Sequence, residues 1–321
     1  MAVLVTGWLA ENLVRTPAIF AGLVLSGISV GAVYGLVALG YTLVYAVADS
    51  INFTHGDVFI FGAMIAATAA RRLGVVAGQS VDALVPRLFL MLAAAVAVSA
   101  ALSAAVERVA FRPFRNAPRF APLVVTIGLT FVLENVLLIW QGDHFDTIAP
   151  ILPQGQLLNV GDLGYTWAKL IILGAALVVM LALDNLLRRT RHGKAIRAVA
   201  QDREGAAIVG IDVDRTFFVT FLTAGALAGA AGFLYLVYVT NVAWDQGFSL
   251  GIVALTAAIL GGIGNPAGAV LGAIVIGITE ALNEGLAWHS PGSDWTQTIV
   301  FSVLILLLVL RPTGLLGGRT S

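Results

Sequence analysis

Eight apolar runs limit what this chain can fold into more than any other feature of it. They lie at about 18–47, 51–70, 88–106, 120–140, 166–187, 216–239, 249–282 and 297–310, with short polar connections between them. Crossing the roughly 30 Å hydrocarbon layer of a bilayer takes about 20 apolar residues, and most of these runs reach that length. Lipid offers no partner to a backbone N–H or C=O, so a spanning segment must satisfy them itself as a helix or in a closed barrel. Continuous runs such as FSVLILLLVL at 301–310 lack the two-residue alternation of a barrel strand. The expected fold is therefore all-α, a polytopic helical bundle of about eight transmembrane segments, in a range of about seven to ten, forming one domain over 1–321. With 59% hydrophobic and 11% charged residues, the composition fits a membrane protein and no soluble core of this size.

Several function classes fall away. Formal net charge is zero, so no basic footprint for nucleic acid exists. Cysteine is absent, which removes disulfides, thiolate metal sites and a cysteine nucleophile together. No metal site and no resident cofactor are expected. Arg15 is the first basic residue, and the apolar run after it is too long for a signal-peptide core, so the N-terminus is expected to stay on the mature protein.

Loop charge sets orientation. ERVAFRPFRNAPR carries Arg108, Arg112, Arg115 and Arg119; the stretch 188–215 carries Arg188, Arg189, Arg191, Lys194, Arg197, Arg203 and Arg215. Both are expected in the cytoplasm, as is the C-terminus with Arg311 and Arg319. The stretch 141–165, with Asp143, Asp146 and Asp162, and the connections around Asp245 and Glu284 to Asp294 hold no lysine or arginine and are expected outside. The same alternation puts Arg71, Arg72 and Arg87 outside. With both flanks outside, 249–282 must cross twice or enter and return; at 34 residues it is read as a broken or re-entrant element.

Polar residues interrupt the apolar runs at two places. INFTHGD at 51–57 contains Asn52, Phe53, Thr54, His55 and Asp57, and Thr54 with Asp57 has the form of a capping box that starts a helix. In GGIGNPAGAVLGA, Asn265 can cap a helix that Pro266 opens. Breaks are thus expected near 49–57 and 261–266. Each helix start presents free N–H groups and a positive dipole end, a device suited to a carboxylate within the membrane. Glu134 interrupts FVLENVLLIW deep in its run and is a candidate for a translocation pathway, whereas Glu280, near the end of its run, is expected to reach interfacial water. His144, His192 and His289 fall in polar loops, too scattered for a proton relay. Glycines four apart, at Gly27, Gly31 and Gly35, at Gly225 and Gly229, and at Gly264, Gly268 and Gly272, read as close helix packing.

The loop at 188–215 mixes both signs of charge with apolar residues at helical spacing. Ala195, Ala198, Val199, Ala206, Ile208 and Val209 predict a short amphipathic helix at the membrane surface, suited to docking a cytoplasmic partner. A G-x-x-x-x-G-K-[ST] loop is missing; if nucleotide drives this protein, another chain binds it. A nucleotide-independent channel or secondary transporter is the competing class. A hydrolase built on Ser26 or Ser50 with His55 lacks a recognisable nucleophile turn.

Four ordered motifs, SGISVGAVYGLVALGYTLVYAVADSINFTHGDVFIFGA, GKAIRAVAQDREGAAIVGIDVDR, GGIGNPAGAVLGA and LRPTGLLG, resemble the permease subunits of bacterial branched-chain amino-acid ABC importers. The INFTHGD form is similar to the histidine-carrying type of the two related permeases, with Thr54 where the family more often has alanine. The resemblance implies an import permease, not an enzyme, in the bacterial inner membrane. Its implied partners are a second permease that is a related but different chain, two ATPase subunits that hold ATP and Mg, an external substrate-binding protein and a small solute. It also implies a coupling segment with Arg197, Gln201, Asp202, Ala206, Ala207, Gly210 and Ile211. Related systems carry urea, short amides or other small solutes.

Overall fold

The computed structural model describes residues 2–115, 117–118, 120–160, 163–286, 290, 292–311 and 313–316. Arg119, Asp162, His289 and Arg319, used above in reading the loops, and Pro312 and Gly317 of the terminal motif lie outside them. Twelve α-helices run through the described residues: α1 (Ala2–Arg15), α2 (Pro17–Ala48), α3 (His55–Arg72), α4 (Val81–Val106), α5 (Phe120–Gln141), α6 (Trp167–Arg189), α7 (Arg191–Gln201), α8 (Arg203–Ile208), α9 (Val213–Val239), α10 (Gln246–Gly261), α11 (Pro266–Gly285) and α12 (Thr296–Leu310). Among the described residues seven stretches are long and apolar enough to cross a membrane: α2, α4 with its π and 3-10 extension to Phe114, α5, α6, α9, α11, and Ser293–Leu310 around α12. The all-α polytopic bundle is the observed architecture.

Small residues bring the central helices into backbone contact. A Cβ on Gly27 would stand 2.6 Å from the Ile278 Cα, and one on Gly31 2.7 Å from the Ala273 carbonyl, so α2 and α11 touch through their main chains. Gly225 and Gly229 set α9 equally close against α4 at Ser99 and Ala95. Two expected positions differ. Gly35 meets the flexible methyl of Met180, and Gly264 is not helical at all: its φ of 93° places it in the turn before α11, a conformation that suits glycine. Around the α2, α3, α9, α10 and α11 centre, α5, α6 and α12 turn apolar side chains such as Val124, Leu181 and Val309 outward, as lipid-facing helices do.

The run at 249–282 resolves into two helices. α10 stops at Gly261, the chain turns over 262–265, and α11 returns along it, with Gly268 and Gly272 against Gly261 and Ala257. At 16 residues and 1.5 Å per residue, α10 is about 24 Å long, short of a full crossing.

Two ends of the bundle follow. One gathers 107–115, Ala117, α7, α8 and the 262–265 turn around one cleft. At the other end a two-residue strand β1 (Asp146–Thr147) pairs with β4 (Asn241–Val242), and β2 (Gln156–Val160) pairs antiparallel with β3 (Leu163–Thr166). Arg71 bonds Asp146 and Gln141 there, so it sits with the acidic loops, where alternation placed it. Small sheets in this connection were not expected from its sequence.

Candidate functional site

The site grows from the end of α2. Asp49 takes a left-handed backbone, φ 50° and ψ 33°, and its N–H closes on the Tyr45 carbonyl at 2.8 Å, which ends the helix. The chain then runs without helical structure through Ser50 to Thr54 and re-enters the bundle, where His55 opens α3 beside Gly40 of α2. A Cβ on Gly40 would collide with the imidazole. Tyr41 packs edge-on to that ring, with centroids 4.8 Å apart and planes 71° apart.

The capping box expected here is not formed. Thr54 is helical at φ −68° and ψ −7°, and its hydroxyl donates to the Asn52 side-chain oxygen at 2.6 Å instead of accepting from the first turn. Asp57 makes no reciprocal bond. Tertiary packing overrides the local motif, because Gly56 presses against Gly247 and Gly251 of α10 and fixes how the chain enters α3. The Phe53 N–H donates to Thr126 of α5 at 3.3 Å, and the side chain of Phe53 is half-buried against the core.

Asn52, Thr54, His55 and Asp57 are all fully or almost fully buried. Fourteen buried side-chain polar atoms among the described residues fall outside good hydrogen-bond geometry, and eight belong to this region: the Thr42 and Ser50 hydroxyls, Asn52 Nδ2, both His55 nitrogens, both Asp57 oxygens and the Thr130 hydroxyl; Thr130 beside Asp57 and the Val37 carbonyl beside His55 offer them weak contacts at most. Burying an unsatisfied group costs about 1–3 kcal/mol, so such a cluster marks a place kept for something other than stability. Thr130 and Glu134 of α5 are the side chains of that helix acting on Asp57, and Asp245 in turn acts on Glu134. Thr126, Thr130 and Glu134 are four residues apart, one face of α5 turned to the break. That spacing was legible in the sequence, but only Glu134 was singled out.

Asn265 does not join this group. It caps α11 as the sequence foretold, accepting from the N–H groups of Ala267 at 3.1 Å and Gly268 at 3.3 Å. Its amide donates to the Leu316 carbonyl at 2.7 Å, and Leu315 and Leu316 bond the carbonyls of Leu260 and Gly261. The start of α11 therefore lies at the end that carries α7 and α8, closed over by 313–316, with Gly264 lining the same cleft as Asp49 and Ser50, while α3 starts within the bundle. Glu280 differs from expectation too: Tyr34 donates to its Oε1 at 3.1 Å and its Oε2 is buried, so it faces the protein interior.

The loop at 188–215 is two helices, not one. Thr190 caps α7, accepting from Gly193 N–H at 3.0 Å, and Asp202 caps α8, accepting from Glu204 N–H at 3.0 Å. Gly193, Ile196, Val199 and Ala206 face the bundle. Ile208 and Val209, expected on that buried face, stand 85% and 74% exposed, because α8 ends at Ile208 and Gly210 turns the chain with φ 86°. Arg197, Gln201, Asp202, Ala207 and Gly210 are exposed, and Ile211 is half-buried. Arg203, which the sequence reading counted only as a charge, donates to the Val47 carbonyl at 2.6 Å. Between this loop and the helix ends lies a cleft of about 1030 Å³, lined by residues that include Asp49, Ser50, Arg115, Gln201, Asp202, Arg203 and Gly264. No group of three or more His, Cys, Asp or Glu among the described residues could hold a metal.

A polytopic helical bundle in which α2 ends and α3 begins at a cluster of buried, poorly bonded polar groups, with a capped surface loop at one end, suits a membrane permease. The family model for the branched-chain amino acid transport system permease component matches residues 23–309. The high-affinity branched-chain amino acid transport system permease protein BraD of Pseudomonas aeruginosa is 34% identical over 295 residues, covering 91% of this chain and 94% of its own. LivH of Escherichia coli (strain K12), a permease protein of the same description, is 34% identical over 304 residues with the same coverage. The probable branched-chain amino acid transport permease protein LivH of Methanocaldococcus jannaschii is 27% identical over 88% of this chain and 86% of its own. The chain belongs to the branched-chain amino acid transport permease family.

Proposed function

We propose that this chain is the membrane-spanning subunit of an ABC importer for branched-chain amino acids, passing solute by alternating access while partner ATPase subunits hydrolyse ATP. The carrying observation is the cluster of buried, poorly bonded polar atoms at the 49–57 break, against a background in which buried polar groups are almost always well bonded. A zwitterion supplies what those atoms lack: its ammonium is a counter-ion for Asp57, and its carboxylate suits Asn52, His55 and the N-terminal turn of α3. Half-buried Phe53 offers apolar contact to an aliphatic side chain. The cleft at the basic-loop end leads from Ser50 outward and serves as the path on that side.

In this reading the end carrying 107–115, α7 and α8 is cytoplasmic, in keeping with its arginines, and so is the C-terminus. α7 and α8 dock the ATPase pair, with Arg197, Gln201, Asp202, Ala206, Ala207, Gly210 and Ile211 forming the coupling segment. A second, related permease completes the pathway, and an external binding protein delivers the solute at the strand end. The setting is a bacterial inner membrane.

The test is reconstitution of the complex purified from its native membrane into vesicles, with uptake of leucine, urea and acetamide measured with and without ATP on the ATPase side. ATP-dependent leucine uptake, lost in His55→Ala while the subunits still co-purify, supports the reading. Uptake that ignores nucleotide, or a His55→Ala variant that transports normally, overturns it.

A further inference from the structure

The last carbonyls of a helix have no partner within it, and those of α2 end beside the cleft that Tyr45, Ala48 and Asp49 line, with Val47 itself buried. Asp49 turns the chain and covers the Tyr45 carbonyl. The Val47 carbonyl is met from 156 residues further along the chain by the guanidinium of Arg203, a charge-assisted bond of 2.6 Å. Arg203 is the first residue of α8, directly after the capping Asp202, so the backbone around it is held by the cap. Its guanidinium also lies 5.2 Å from the centre of the Phe217 ring in α9. Arg115 packs over the same ring at 4.5 Å and pairs with Glu107 and Asp214. One buried aromatic of α9 thus fixes two arginines, and one of these reaches the main chain two residues before Asp49.

We propose that Arg203 is a positioning residue that carries movement of the α7 and α8 loop into the polar break at 49–55, and so sets the geometry of Asn52 and His55. The proposal rests on the reading above, in which that loop receives the thrust of the ATPase partners. The link is stiff at both ends. A guanidinium forked against a ring and bound to a carbonyl has little freedom to swivel, and the carbonyl belongs to the helix turn from which the break departs. A displacement of α8 that keeps this bond must move the end of α2, and with it Ser50 and Asn52. A displacement that breaks it takes from the Val47 carbonyl its charged donor.

Two measurements test it. In reconstituted vesicles, Arg203→Ala is expected to leave subunit co-purification intact and ATP hydrolysis nearly unchanged, while solute moved per ATP falls about tenfold, within the range for substitutions along a coupling route. Arg203→Lys, which keeps a cationic donor, is expected to restore most of that ratio. The second measurement needs no partner. Because the chain has no cysteine, Ser50→Cys supplies a single thiol, 6% exposed before substitution. Replacing Arg203 by Ala in that background is expected to raise its labelling by a water-soluble maleimide about tenfold, as local opening at the break would; Arg197→Ala is expected to leave labelling unchanged. Unchanged labelling with Arg203→Ala overturns the proposal whatever the solute is. Loss of co-purification in parallel with transport overturns it in favour of a docking contact. A parent complex with no ATP-driven uptake, combined with the rise in labelling, removes the import reading and leaves the link between α8 and the break standing.

Discussion

The placement of the candidate site depends on α3 starting in backbone contact with α10, and Gly56→Ala tests that contact directly. A Cβ at Gly56 would lie 2.6 Å from the Gly251 Cα and closer still to the Gly247 carbonyl; ordinary contact begins near 3.4 Å, so one helix must retreat by more than about 0.8 Å. Every atom it meets is main chain, and no side-chain rotation relieves the clash. Overpacking of this kind costs about 1–3 kcal/mol. At about 2–4 °C per kcal/mol for domains of somewhat smaller size, the midpoint of thermal unfolding in detergent should fall by about 2–12 °C. Gly174→Ala in α6 is the control: nothing lies within 4 Å of its Cβ, and alanine is the better helix former by about 1 kcal/mol, so its midpoint should hold or rise. Because Asp57 directly follows Gly56, the retreat should also lower uptake. If Gly56→Ala unfolds at the same temperature as Gly174→Ala, the two helices are not in contact and the site as described is wrong.

Three further outcomes follow from other parts of the bundle. Asn265→Ala removes the acceptor for two N–H groups and the donor to Leu316, and should cost about 0.5–2 kcal/mol; Asn265→Asp should recover the capping share, both read by thermal unfolding. Arg71→Ala strips the partner from Asp146, whose side chain is only 4% exposed, and should destabilise by about 1–3 kcal/mol. Adding Asp146→Asn should recover part of that loss, and a double variant no more stable than Arg71→Ala would show that the pair is unimportant. Ile208→Asp, at a position 85% exposed, should change stability by less than about 0.5 kcal/mol yet abolish co-purification of the ATPase subunits; retained co-purification would move docking elsewhere.

The sequence by itself determined that the chain is a helical membrane bundle, that α10 and α11 are separated near Asn265, and that basic and acidic loops lie at opposite ends. These features are local. Span length, the capping of α11 by Asn265 and Pro266, and loop charge each depend on residues within a few positions of one another. The motif at Thr54 and Asp57 was equally local, and there the local reading failed, since packing of Gly56 on Gly251 governs how α3 begins. Only the tertiary structure decided which buried polar atoms are poorly bonded, that Thr126 and Thr130 face the break, that the Asn265 amide binds Leu316, and that Arg203 holds the end of α2. Those facts depend on contacts between residues 73 and 156 positions apart, such as Phe53 with Thr126 and Arg203 with Val47. No periodicity or cap encodes such a meeting; it is fixed by where small residues allow whole helices to approach.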